Sequence, residues 1–280
     1  VEVYCANPKC GAPLPQYEEN CLVCGRSGGA PNVRNAGLKE ERDALQARVG
    51  KARKLALARR CASELANFEA YVGMSQAVIV RPLAVLDSFV HSDNQLLLTF
   101  HQAVRAKGRL PDKNEWDPRR ETVDSAINPY IFDRIHFAAL SGDGKGVSSF
   151  GGYHVTLKES AVELRTTVFE ENGFPFLDRH HNRVPPGYRA AWPERGLLAV
   201  AKLHSKLSAG ISTSVFPDIL LDQGTTHGDS DFIEVHIYGL LHRRAIERVE
   251  GAKPVRKEDK FIWRKIRRSL EGIGVEVMET

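Results

Sequence analysis

A chain of 280 residues with 42% hydrophobic and 26% charged residues has the composition of a water-facing folded protein, and it exceeds the usual size of a single domain. No apolar run approaches the ~20 residues that cross a bilayer, which excludes insertion as a membrane helix. The formal net charge of +4 is too small to argue for nucleic acid by itself, so where the basic residues lie matters more than how many there are.

The first ten residues, VEVYCANPKC, lack a basic segment followed by an apolar stretch, so a reducing, cytoplasmic setting is expected. Cys5 and Cys10 form a C-x4-C pair and Cys21 and Cys24 a C-x2-C pair, with ten residues between the pairs. Four thiolates at such spacing can close tetrahedrally on Zn2+, and Gly11 and Gly25 follow each pair where tight turns let backbone amides approach sulfur. Two disulfides are the alternative; the odd fifth cysteine and the missing secretory signal weigh against them. Residues 1–30 resemble a short zinc ribbon. So small a module has almost no apolar core, so the metal is expected to supply its folding energy, on the order of 10 to 16 kcal/mol as in zinc-finger peptides. Four cysteines leave no open coordination position, which implies a structural or recognition role.

Residues 26–37 read as a linker rich in Gly, Pro and Asn. From Leu38 to Val72 the apolar residues Leu45, Val49, Ala52, Leu55, Ala58, Cys61, Leu65, Phe68 and Val72 recur every three or four positions, which predicts one long helix with Gly50 as its weak point. Cys61 falls in that stripe and is expected to be a packed thiol. The opposite face carries Arg48, Lys51, Arg53, Lys54, Arg59 and Arg60, which either follow a phosphate backbone or face solvent. Helical runs are also expected over Ser75–Val90, interrupted by Pro82, and over about Asn94–Ala106, making residues 38–106 a helical segment.

Residues 107–280 are expected to form the catalytic domain. A proline-punctuated connection with one short helix near Arg119–Ala126 leads to a buried run, Ile131–Leu140. The glycine-rich SGDGKGVSSFGG lacks P-loop spacing and is a turn or flap. YHVTLK and ELRTTVF read as strands, followed by a polar loop containing His180 and His181, a helix around Pro193–Leu207, a short helix over residues 241–250, a basic helix over Lys257–Leu270 and a closing strand GVEVME. The predicted fold is α+β: a zinc ribbon, a helical layer, then a mixed or antiparallel β-rich domain with helices.

Ile211–Gly239 sets two strand-like runs around a polar loop. In the second run Phe232, Glu234, His236 and Tyr238 alternate with Ile233, Val235 and Ile237, so Glu234 and His236 share one face, which either lines a cleft or meets solvent.

Arg165 in one predicted strand, Ser212-Thr213-Ser214 opening another and Glu234 in a third resemble the Arg, Ser-Thr-Ser, Glu signature of mono-ADP-ribosyltransferases. RTTVFEEN and FIEVHIYG are also similar to elements of toxin-like domains in polymorphic-toxin and phage head-associated proteins, and the likeness covers about residues 150–250. It implies an NAD+-consuming transferase of toxin or effector type acting on a macromolecular target, either nucleic acid reached through the basic helices or a protein, and a neutralising protein partner. Glu234 would face the oxocarbenium-like ribose, Arg165 would hold the diphosphate or ribose, and Ser212 would order the NAD-binding strand. Thr213, Ser214, Tyr153 and His154 join Arg165 and Ser212 as cofactor-binding residues on this reading, and His236 joins Glu234 in catalysis. Departures from the family pattern are Phe232, where a second acid or glutamine is usual, and a short interval from the triplet to Glu234.

Two other readings stay open. His154, His180, His181, His204, His227, His236 and His242 all lie in the second half, and two imidazoles near a lysine can cleave RNA as general base and acid without metal. A non-catalytic zinc protein that binds nucleic acid through its basic helices, or binds a protein partner, needs only the cysteine module and those helices.

Overall fold

The computed structural model describes residues 3–107, 116–224 and 229–280. Strands β1 (Val3–Tyr4) and β2 (Pro13–Leu14) pair antiparallel beside the first two cysteines. The expected linker holds a short helix, α1 (Pro31–Ala36), opened by its proline. The expected long helix is two, α2 (Lys39–Ala58) and α3 (Ala62–Gly73). Their break lies not at Gly50 but at residues 59–61, where Arg60 takes a φ of 57° and the Arg59 guanidinium donates to the carbonyls of His204, Ser205 and Leu207. The buried stripe of α2 runs Leu45, Val49, Ala52, Ala56, whereas Leu55 and Ala58 are exposed.

Ser75–Val90 is not a helix interrupted by proline. It is strand β3 (Gln76–Arg81), then Pro82, then helix α4 (Leu83–Val90). A short apolar run such as QAVIVR has no period that separates buried strand from buried helix, and pairing on both sides decides for the strand. Likewise Asn94–Ala106 yields β4 (Leu96–Leu97) and a shorter helix α5 (Phe100–Arg105), which starts late because Thr99 and Gln102 form a capping box there. Helix α6 (Trp116–Ile127) is longer than expected.

Next come β5 (Ile135–Ser141), β6 (Tyr153–Leu157), α7 (Glu159–Val162), β7 (Thr166–Phe169), α8 (Gly173–Arg179), β8 (Arg189–Ala191) and α9 (Arg195–Leu203). Of these, α8 occupies part of the expected polar loop. The chain ends with α10 (Phe216–Leu220), β9 (Leu221–Asp222), β10 (Asp231–Phe232), β11 (Glu234–Tyr238), β12 (Leu241–His242), β13 (Ile246–Gly251), α11 (Lys257–Glu271) and β14 (Glu276–Glu279). The helix expected over residues 241–250 is thus two strands joined by a 3-10 turn at Arg243–Ala245.

Eight strands form one sheet in the order β14-β13-β6-β3-β5-β11-β7-β8, antiparallel throughout except for the parallel pair β13 and β14. On one face Ala77, Val155, Val168, Val235 and Ile237 share the main core with Leu45, Phe68, Leu198 and Trp263 from the helices. Residues 38–106 therefore contribute both a strand and core side chains to the same body as residues 135–279, and they do not form a layer of their own. Smaller clusters cover the other face, one built on Phe169, Phe174 and Phe176 and one on Ala30, Ile131, Ile135 and Tyr238. Among the described residues no helix is long and apolar enough to cross a membrane.

Candidate functional site

The Sγ atoms of Cys5, Cys10, Cys21 and Cys24 all lie within 4.8 Å of one another. Cys5 is 3.5 Å from Cys24 and Cys10 is 3.7 Å from Cys21. Zn–S bonds of ~2.3 Å at tetrahedral angles put sulfurs about 3.8 Å apart, whereas a disulfide needs ~2.05 Å, so the donor set fits a shared metal ion and not two disulfides. Gly11 and Gly25 take φ of +55° and +71°, the left-handed turns that close each cysteine loop. The thiols are electrostatically linked. Cys24 is drawn down to about 6, first by the backbone N–H of Arg26, whereas Cys5, despite the lowering hydrogen bond from Asn7, is pushed up to about 11 by burial and by its sulfur neighbours. Four sulfurs this close cannot all ionise without a cation among them.

The module is fastened to the body by its own following segment. Arg34 on α1 donates from Nη1 to the carbonyls of Gly28 (3.2 Å) and Gly29 (2.7 Å), and from Nη2 to those of Pro15 (3.1 Å), Gln16 (3.3 Å) and Glu18 (2.6 Å). Asn32, two residues earlier and buried, donates from Nδ2 to the carbonyls of Arg165 and His236, each at 3.1 Å. Ala30 packs with Ile135 and Tyr238, and Tyr17 meets Tyr130 with ring centroids 5.3 Å apart.

Glu234 and His236 share a face of β11, as alternation requires, with Glu234 Oε2 2.9 Å from His236 Nε2. The strand is not at an edge. It lies between β5 and β7, and His236 is only 2% exposed, against the edge of Phe137 (centroids 5.0 Å) and stacked on Phe169 (5.5 Å). Asn128, just past α6, places its Nδ2 3.1 Å from His236 Nδ1. An amide nitrogen only donates, so Nδ1 accepts, the proton sits on Nε2, and that N–H points at the Glu234 carboxylate. One turn earlier on α6, buried Asp124 meets His101 Nε2 at 2.8 Å. Neither asparagine nor the His101–Asp124 pair is signalled by any local motif.

Arg165 precedes β7 and is engaged with backbone. Its Nε donates to the carbonyl of Ala161 at 2.7 Å, and Nη1 to those of Tyr238 (3.0 Å) and Leu240 (2.6 Å). Burial lowers its pKa from the ordinary arginine range. It stands beside Tyr238, four residues along β11 from Glu234, or about 13 Å at strand spacing. Ser212-Thr213-Ser214 does not open a strand: Ser212 accepts from the Ser214 N–H at 3.2 Å as the cap of a 3-10 turn leading into α10. Phe216 of α10 packs on Phe68 in the main core, the face of β11 opposite to Glu234. Tyr153 packs on Trp263 and donates to the Ala252 carbonyl at 3.3 Å, and His154 Nδ1 accepts from the Gly146 N–H at 2.9 Å. Arg165, the serine triplet, Tyr153 and His154 are therefore not brought together around Glu234.

Of the other histidines, His204 and His242 engage backbone carbonyls, His180 stacks on Phe176, and His227 lies outside the described residues. Three of the six basic residues expected to share a face here are engaged: Arg48 pairs with Glu170, Arg53 with Glu69 at 2.9 Å, and Arg59 caps carbonyls as above. A cleft of about 440 Å³ opens near the start of β11, lined by Glu170, Glu171, Arg179, Lys202 and Asp231 among others. No protein-family model matches the chain, and no curated protein matches it.

Proposed function

We propose that Cys5, Cys10, Cys21 and Cys24 hold one Zn2+ as a structural centre whose work is to give residues 3–29 a fixed shape for docking on the end of β11. The observation that carries this is the set of sulfur distances, 3.5 and 3.7 Å within a cluster no wider than 4.8 Å, which matches tetrahedral thiolate coordination. All four donors come from the chain, so the ion has no position for a substrate. The module's own apolar cluster is small, built on Cys5, Leu14 and Cys21, and the ion supplies what burial cannot. Metal analysis of the reduced protein tests this: about one equivalent of zinc is expected, Cys21→Ser should lose it, and Cys61→Ser should keep it. Metal-free reduced protein with an intact module would overturn the proposal.

A second reading is favoured by one observation at Glu234. Its carboxylate is oriented by the Nε2–H of a buried imidazole and remains partly exposed, with 13% of the side chain accessible. A fixed carboxylate suits the stabilisation of an oxocarbenium-like ribose, so NAD+-dependent ADP-ribosyl transfer is the chemistry to assay first. On this reading Glu234 acts and His236 positions it, while Arg165 and Ser212 have no part at the reacting bond. Glu234→Gln should lower NAD+ turnover by ~10²- to 10³-fold without abolishing NAD+ binding. Equal turnover by the variant and the unmodified protein, or none by either, sinks this reading.

A further inference from the structure

We infer that α11 is a docking face for single-stranded nucleic acid, with Lys257, Lys260, Arg264 and Arg268 contacting phosphates and Phe261 stacking on a base. Residues 253–271 carry eight Lys and Arg against three Asp and Glu, a net of +5 in a chain whose total is +4, so the remainder is within one charge of neutrality. The chain's positive excess is thus concentrated on one element at the surface.

Helix α11 turns Trp263, Ile266 and Leu270 into the core. At about 100° per residue, Lys257, Lys260, Phe261, Arg264 and Arg268 fall within an arc of about 100° on the side away from them. The helix's other cations already have carboxylates: Arg256 pairs with Asp259 at 2.8 Å, Lys265 with Asp87 at 3.2 Å and Arg267 with Glu271 at 2.7 Å. Lys257, Lys260, Arg264 and Arg268 are exposed and have no carboxylate partner among the described residues. They recur at steps of three or four residues, about 4.5 to 6 Å of helix rise, over a span of about 16 Å. That is a row of charges able to follow several consecutive phosphates.

Phe261 selects among anionic partners. It is 67% exposed in the middle of the cationic row, one turn after Lys257 and nearly one turn before Arg264. An aromatic face set among cations is the arrangement that holds unpaired bases, whose π-faces are open, whereas stacked duplex bases offer none. A membrane surface fits less well, because an interfacial helix must give its apolar face to lipid and here that face is already in the core.

The test is fluorescence anisotropy of the full chain with a labelled 20-nucleotide oligothymidylate from 25 to 200 mM salt. Four phosphate contacts predict a slope of log Kobs against log[salt] near −3, or about fiftyfold weaker binding between 50 and 200 mM. Lys260→Ala with Arg264→Ala should reduce the slope by about 1.4. Phe261→Ala should weaken binding by about ten- to a hundredfold at an unchanged slope, as expected for one stacked base. Lys51→Ala with Lys54→Ala, on α2, should change neither. No binding at 25 mM, an unaltered slope in the α11 double variant, equal binding of the matching duplex, or binding only to anionic phosphatidylserine vesicles would each overturn the assignment.

Discussion

Asn32 Nδ2 lies 3.1 Å from the backbone carbonyl of His236, joining the segment that follows the cysteine module to the strand that carries Glu234. The same nitrogen reaches the Arg165 carbonyl and, at 3.4 Å, Thr167 Oγ1, so one buried amide bridges β7 and β11. Replacing it by alanine leaves buried acceptors without their donor and should cost about 1 to 3 kcal/mol. Asn32→Asp should cost more, because a carboxylate would then face two carbonyl oxygens. Denaturant unfolding at neutral pH checks both, and Asn32→Asp no less stable than Asn32→Ala would show that this contact does not hold the module.

Loss of the metal should loosen the module and spare the sheet. In Cys21→Ser, amide exchange over residues 3–29 is expected to rise to that of an unfolded chain, while the amides of β3, β5 and β11 stay protected. Arg34→Ala should produce the converse state, with zinc retained, because its five carbonyl partners lie outside the sulfur cluster. Proteolysis of the metal-loaded Arg34→Ala protein between residues 24 and 31, at rates the unmodified protein does not show, is the expected signature.

Arg165 gives a sharp contrast with its expected role. Arg165→Ala removes the donor from the backbone carbonyls of Ala161 in α7, Tyr238 at the end of β11 and Leu240 just beyond it, so stability should fall by about 1 to 3 kcal/mol. Any NAD+ affinity of the folded fraction should be unchanged. A variant of undiminished stability that has lost NAD+ binding would return Arg165 to the cofactor.

His136 predicts an acid-labile core. It is 2% exposed, and burial, with smaller contributions from Arg81 and Arg165, pushes its pKa down to about 3. The unfolded chain therefore takes up the proton first, near the ordinary histidine value of ~6.5. Its contribution to stability is complete above that value and is lost as pH falls toward 3, by about 1.4 kcal/mol per pH unit. His136→Gln should show a shallower decline of unfolding free energy between pH 6.5 and 4; the same slope in both proteins would mean another group dominates.

What could be read from the sequence was what is local. The cysteine spacing is complete within twenty residues, and its donors do converge. Alternation placed Glu234 and His236 on one face, but the depth of that face depends on Phe137 from β5 and Phe169 from β7, so burial of His236 had no local sign. Asn32 and Arg34 lie in what looked like a linker because their partners are backbone carbonyls, which leave no trace in composition. QAVIVR looked helical because its partners, β5 and β6, begin more than fifty residues later. The Ser-Thr-Ser triplet is a real local feature with a different use: its first hydroxyl caps a turn instead of starting a strand.

The position of β3 between β5 and β6 governs how the chain must fold. Its registers, Val78 with Ala139 and Val80 with His154, are long-range on both sides, and β11 joins the sheet only once residue 238 is available. Closing such loops costs entropy before any pairing is returned, which slows assembly. During synthesis the four cysteine donors, complete by Cys24, are available to a metal ion while the apolar β3 segment still waits for partners. In that interval Ala77–Val80 is an apolar strand without its partners and so open to misassociation, and the module reaches its docking place only when the carbonyls of Arg165 and His236 have been set in line.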